Sequence, residues 1–192
     1  MTISQEVYQS LTQISIEDFF KAFSTFKKEA FRLEMLDQYL VDEESQAFED
    51  FRKGQKKPPV GYNQGWCEFI EEALRNGKRF NRVRVVSEPY SDYFLFELNW
   101  AYTKNIQAGE NISLMTKEEL QPCLKDIPLL QDYWLFDEEY CLIMDYDLLG
   151  NFLGVKQLDK KYIDRYIQLK EKVKLRAHDI TETKVWKAEL LQ

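Results

Sequence analysis

The chain has 192 residues, of which 44% are hydrophobic and 31% charged, and its formal net charge is −7. A chain of this length buries a core without staples, and its acidic balance weighs against a general nucleic-acid coat, which needs a positive surface to release counterions. Cys67, Cys123 and Cys141 are scattered and odd in number, so neither a disulfide framework nor a zinc spacing is readable. The opening MTISQEVYQS lacks the basic start and apolar stretch of a signal peptide, and no run approaches about 18 apolar residues. A cytoplasmic protein with no membrane contact is expected, folded as a single domain over 1–192.

The charge is unevenly placed. Residues 1–50 carry net −7, 51–90 net +5, 91–158 net −8 and 159–192 net +3. A local basic patch is therefore compatible with the acidic whole.

Residues 1–13 are polar and weakly patterned and read as an arm. Ser15 is the expected N-cap of a helix, with Asp18 three residues on as a short capping partner. Phe19, Phe23, Phe26 and Ala30 follow at helical spacing, and Leu33, Leu36 and Leu40 extend the pattern or begin a second helix. A short helix starting at Asp42 or Glu43 ends near Arg52, with Gly54 past its end. Pro58 and Pro59 interrupt the chain before a helix over 62–76, whose expected inward residues are Trp66, Phe69, Ile70, Ala73 and Leu74.

The segment KRFNRVRVVSEP follows. Arg82 and Arg84 alternate with Val83 and Val85, the period of a half-buried strand at 79–87. The valines are expected to face the core and the arginines solvent, a cleft or an interface. A helix over 91–105 capped by Ser91, a turn at Gly109, a short strand at Ile112 and Leu114 and a Thr116-capped turn come next. Three strands over about 133–137, 140–146 and 152–158 read as an antiparallel meander. Asp159 caps a final long helix with Tyr162, Ile163, Tyr166, Leu169 and Val173 on one side. A shorter helical piece around 182–190, carrying Val185, Trp186 and Leu190, follows. The expected class is α+β: a helical part over 14–78, a small, mostly antiparallel sheet within 79–158, and C-terminal helices over 159–192.

Chemistry is expected around Arg82, Arg84, Glu88, Tyr93 and Glu97. Guanidinium forks pair two oxygens at once, and two on one strand face lie about 6.6 Å apart by strand rise. Arg82, Arg84 and Tyr93 are the candidate ligand or phosphate contacts. Glu88, Glu97 and Asp137 are the candidate proton-moving carboxylates. Asp137, Asp145 and Asp147 form a weak carboxylate set that also reads as turn chemistry, so no metal and no cofactor are expected. The single histidine, His178, falls where a helix C-terminus is expected. No glycine-rich phosphate loop is present.

The blocks FKKEAFRLEMLDQY at 26–39, RVRVVSEPYSDYFLFEL at 82–98, AGENI at 108–112 and DYWLFD at 132–137 together resemble a family of uncharacterised bacterial proteins. That family is frequent in actinobacteria, often beside genes for helix-turn-helix regulators. The resemblance implies no activity. The lack of a convincing catalytic motif, the opposed charge blocks and the terminal apolar-plus-basic helix point to a regulatory or protein-interaction domain with a protein partner. A phosphate-directed enzyme, such as a small RNA cleaver, and a non-catalytic nucleic-acid module remain as alternatives, with a phosphate-bearing ligand or RNA held through the 79–88 patch.

Overall fold

The computed structural model describes residues 3–125 and 127–190; the side chain of Leu190, expected on the last helix, lies outside what is described. The chain opens with α1 (Ile3–Ser10) and β1 (Thr12–Ile14), so part of the expected polar arm is ordered, with Val7 fully buried. Helix α2 (Ile16–Thr25) starts at Ser15, whose hydroxyl accepts the Asp18 N–H at 3.0 Å. It stops earlier than the phenylalanine spacing predicts. After Lys27-Lys28 the chain extends as β2 (Glu29–Glu34), and Ala30 and Leu33, read as helical, belong to this strand. The spacing of Ala30 from Phe26 is shared by accident, because Phe26 and Ala30 meet the same core from two different elements.

Helix α3 (Asp42–Arg52) and helix α4 (Gln64–Arg75) follow, then β3 (Arg79–Val86). Leu74, expected inward, is exposed. The segment after β3 is one continuous helical rod: α5 (Asp92–Phe96), a π-helical stretch over Glu97–Tyr102, and α6 (Thr103–Ala108). Ser91 caps it by accepting the Phe94 N–H at 3.1 Å. Gly109 ends it at φ 109°, left-handed backbone that glycine adopts without a Cβ penalty.

Strand β4 (Asn111–Thr116) leads into α7 (Lys117–Leu120) through a full capping box between Thr116 and Glu119. The meander is present as β5 (Tyr133–Phe136), β6 (Tyr140–Tyr146) and β7 (Phe152–Gln157). Asp159 caps a single 3₁₀ turn before α8 (Ile163–Arg176). His178 lies in β8 (His178–Asp179) rather than on the helix end, and α9 (Lys184–Leu190) closes the described chain.

Among the described residues eight strands join one sheet in the order β1-β7-β6-β5-β2-β3-β4-β8. The sheet is thus larger than expected, and the N-terminal third supplies its inner strand β2. The pairs β2–β3 and β3–β4 are parallel; the other neighbours are antiparallel. This is an α+β fold with a mixed sheet.

Alternation divides the inner strands cleanly. One face carries Phe31 and Leu33 on β2, Val83 and Val85 on β3, and Tyr133 and Leu135 on β5, packed under Tyr166, Leu169 and Val173 of α8. Val83 and Val85 therefore face the core as expected. The other face is covered by α2, α4 and the α5–α6 rod. Phe23, Phe26 and Ile70 pack over Phe80, Trp134 and Phe136, and Phe94 and Leu98 pack over Val86 and Leu114. Val185 of α9 packs into this second cluster, so the C-terminal helix docks on the same sheet.

Candidate functional site

The parallel register of β2 and β3 sets Arg32 beside Arg82 and Glu34 beside Arg84. These four side chains occupy the helix-covered face, where polar groups need partners to offset lost hydration. Glu34 bridges two of the guanidiniums: its Oε1 lies 2.7 Å from Arg32 Nε, and its Oε2 accepts from Arg82 Nη1 at 2.7 Å. Arg82 Nε donates to Glu110 Oε1 at 2.8 Å, and Asn105 Nδ2 donates to Glu110 Oε2 at 2.9 Å. Arg84 Nη2 stands 3.1 Å from Glu97 Oε2, and Arg84 Nη1 donates to the Tyr39 hydroxyl at 3.3 Å. Tyr39 in turn donates to Asp132, which also accepts the Met35 N–H at 2.9 Å. Each guanidinium also stacks on an aromatic ring: Arg32 on Trp134, Arg82 on Tyr102 and Arg84 on Tyr39, at 5.1, 5.5 and 5.1 Å.

Burial and charge pull these groups apart electrostatically. Burial works to raise the Glu34 carboxyl, but Arg82, Arg32 and Arg84 outweigh it and hold it down at about 2. At Glu97 burial wins over Arg84, with Glu34 and Glu44 adding like charge, and the carboxyl is pushed up to about 8. Asp132 is raised to about 6 by burial, against the pull of Arg32. Glu97 and Tyr102 both sit on the π-helical stretch, a rare geometry often found at functional sites.

The network meets solvent at a cleft between α2 and α4 of about 510 Å³. Phe20, Phe23, Trp66, Phe69 and Trp134 wall it, and Arg32 and Arg82 form its charged floor. Phe23 and Trp134 meet edge to face at 4.9 Å, as do Phe23 and Trp66 at 5.8 Å. One buried donor here makes no hydrogen bond among the described residues, the indole N–H of Trp134, while the Nε–H of Arg32 is ion-paired with Glu34. A second, smaller cleft of about 270 Å³ opens near the other end of the network, with Asp132, Lys117 and Tyr146 in its lining.

Of the residues singled out from the sequence, Arg82, Arg84 and Glu97 belong to the network. Tyr93 adjoins it, with its ring 5.9 Å from Tyr39 and its hydroxyl donating to Glu44 at 2.7 Å. The arginines do not share an open face: Arg84 is 0% exposed, and Arg82 is 8% exposed at the cleft floor. Of the expected alternatives of solvent, cleft or interface, the arginine face meets a cleft at Arg82, while covering helices and paired carboxylates enclose Arg84.

Glu88 lies outside the network, exposed beyond β3, where it accepts from the Tyr90 hydroxyl at 3.1 Å. Asp137 is also outside. Its carboxylate accepts the backbone N–H groups of Lys27, Lys28 and Glu29 at 2.7, 2.7 and 2.9 Å, pinning the start of β2 to the β5–β6 turn. Asp145 pairs with Lys156, and Asp147 caps its own turn through Leu149 and Asn151. Among the described residues no group of three His, Cys, Asp or Glu side chains is placed to hold a metal ion. No helix there is long and apolar enough to cross a membrane.

Sequence reasoning missed Arg32, Glu34, Tyr39, Glu110, Asp132 and Trp134. A signal was present: FRLE at 31–34 alternates apolar and charged residues as RVRV does at 82–85.

The family model described as "Domain of unknown function (DUF6879)" matches residues 17–184. No curated protein matches the chain.

Proposed function

The chain belongs to the DUF6879 family, and from its geometry we propose a regulatory binding domain that takes up a small, largely apolar molecule in the α2–α4 cleft. The observation that carries this reading is the cleft itself. Its volume falls within the range of ligand sites, and its lining joins a mostly aromatic wall to a few convergent polar groups. Its lining contains no histidine, cysteine or carboxylate, which supports binding over chemistry. The buried setting of Arg84 and the carboxylates already paired with Arg82 lower the reading of a phosphate-gripping surface for RNA.

Gly65 supplies the test. It lines the cleft, and a Cβ added there meets nothing within 4 Å. Gly65→Phe is expected to set a ring at the cleft without a clash at its Cβ. Isothermal titration with the uncharged probe 2-naphthalenemethanol is expected to show saturable binding to the unsubstituted protein and none to Gly65→Phe. Equal response in both proteins rules the cleft out as the site.

A protein partner is a second reading, favoured by the tip of the β6–β7 hairpin. Leu148, Leu149 and Leu153 are all exposed there, an arrangement associated with interaction surfaces.

A further inference from the structure

We infer that the ligand of the α2–α4 cleft is a monocarboxylate on a flat apolar body, with its carboxylate received by Arg32. This rests on the cleft being the binding site and adds the chemical class.

The two floor arginines differ in spare capacity. Arg82 already meets two carboxylates, Glu110 at Nε and Glu34 at Nη1, at 2.8 and 2.7 Å. Arg32 is less engaged. Its Nε is ion-paired with Glu34 Oε1 at 2.7 Å, but its Nη2 reaches the Tyr146 hydroxyl only at 3.4 Å, which leaves the Nη edge of the fork for a further acceptor. Stacking on Trp134 fixes the plane of the Arg32 fork. A carboxylate arriving in that plane finds the bidentate geometry that guanidinium favours. The N-terminal turn of α4 opens on the same cleft at Gly65 and Trp66, and its cap residue Asn63 makes no side-chain capping bond. The helix dipole therefore adds positive potential at the mouth.

Charge balance selects one negative charge over two. Arg32, Arg82 and Arg84 pair with three carboxyls, Glu34, Glu97 and Glu110, and Asp132 joins the set through Tyr39. With Glu97 pushed up to about 8, the set is close to neutral at pH 7. One added negative charge is met by Arg32 itself, whose Nη2 is engaged only by the Tyr146 hydroxyl at 3.4 Å. A phosphate dianion would leave a second charge uncompensated within reach of Glu34 and Glu110. The walls select the body: the aromatic rings present edges and faces to a flat, apolar group.

The experiment compares three probes of one shape, 2-naphthoate, 2-naphthalenemethanol and 2-naphthyl phosphate, by isothermal titration at pH 7. Naphthoate is expected to bind about tenfold or more tighter than the alcohol, the value of one charge-assisted hydrogen bond. The naphthyl phosphate is expected to bind more weakly than naphthoate. Arg32→Gln is expected to erase the acid-over-alcohol preference while keeping alcohol binding, which also shows that the variant is folded. Equal affinity for acid and alcohol overturns the carboxylate assignment and leaves the cleft a plain apolar site. Tighter binding of the phosphate overturns it in favour of a phosphate ligand. Failure of all three probes overturns both this assignment and the proposed function.

Discussion

On one face of β2 and β3, Phe31, Leu33, Val83 and Val85 meet the apolar side of α8; on the other, Arg32, Glu34, Arg82 and Arg84 meet carboxylates and aromatic rings. The strands are the same, but the energetics differ. Apolar burial is non-directional, so each lost group has a local and graded cost. Buried ion pairs depend on each other, because removing one partner leaves an uncompensated charge. The first face packs by apolar contact alone; the second sets paired charges behind a cleft, at the expense of desolvation that hydrophobic residues would not incur.

The largest expected effect comes from breaking the charged face at its bridge. Glu34→Ala leaves Arg32 and Arg82 without their shared carboxylate and is expected to destabilise by about 3–5 kcal/mol. Urea unfolding measures it. Leu33→Ala, one residue away on the apolar face, leaves a cavity and is expected to cost about 2–5 kcal/mol. A loss under about 1 kcal/mol for Glu34→Ala, the scale of an exposed pair, would mean that the two faces do not differ in this way.

Next in size is a pH effect confined to the charged face. Glu97 is faced by Arg84 and Arg82 from β3, Glu34 from β2 and Glu44 from α3. Its carboxyl is raised from 4.5 to about 8 by burial, so between those values the folded state holds a proton that the unfolded chain has lost. Stability then falls as pH rises through that window and is lowest, for this group, above about 8. Glu97→Gln keeps an oxygen for Arg84 and removes the titration. Thermal unfolding from pH 5 to 9 is expected to show a flatter profile in Glu97→Gln, with its gain over the unsubstituted protein greatest at the alkaline end. Parallel profiles would show that Glu97 titrates normally.

Much of the apolar face was legible in the sequence, and little of the charged face was. Caps at Ser15, Ser91, Thr116 and Asp159 are local hydrogen-bond chemistry, so their residues announce them. The stripe of α8 and the inward valines of β3 follow from periodicity. Strand β2 was hidden because Phe26 and Ala30 keep helical spacing across the break at Lys27-Lys28. Burial of Arg82 and Arg84 is a tertiary fact: it depends on Glu34 from 48 residues before Arg82 and Glu110 from 28 residues after it. Alternation reports two faces without reporting what covers them.

A smaller effect is expected where a candidate catalytic carboxylate proves to be a splice. Asp137 joins the β5–β6 turn to the start of β2 through three backbone donors, and those bonds hold its carboxyl below the usual range against the effect of partial burial. Asp137→Asn keeps a residue that tolerates the left-handed backbone at φ 52° but replaces one acceptor oxygen with a donor. A loss of about 1–3 kcal/mol is expected from the stranded N–H groups. Ligand affinity in the α2–α4 cleft is expected to stay unchanged, since Asp137 lies outside its lining.

The smallest effect belongs to Glu88, the other candidate carboxylate outside the network. It is exposed, its one recorded partner is the Tyr90 hydroxyl two residues away, and it takes no part in either the arginine network or the cleft lining. Glu88→Ala removes a solvated charge whose hydrogen bond water replaces, so stability is expected to shift by less than about 0.5 kcal/mol. Probe binding should be equally unmoved. Glu88 lies two residues past the end of β3, and its side chain is solvated where Arg84 is sealed, so nearness along the chain does not by itself recruit a residue to the site. Altered naphthoate affinity in Glu88→Ala would place the functional surface at the exposed end of β3 and reverse the comparison between the buried and open ends of that strand.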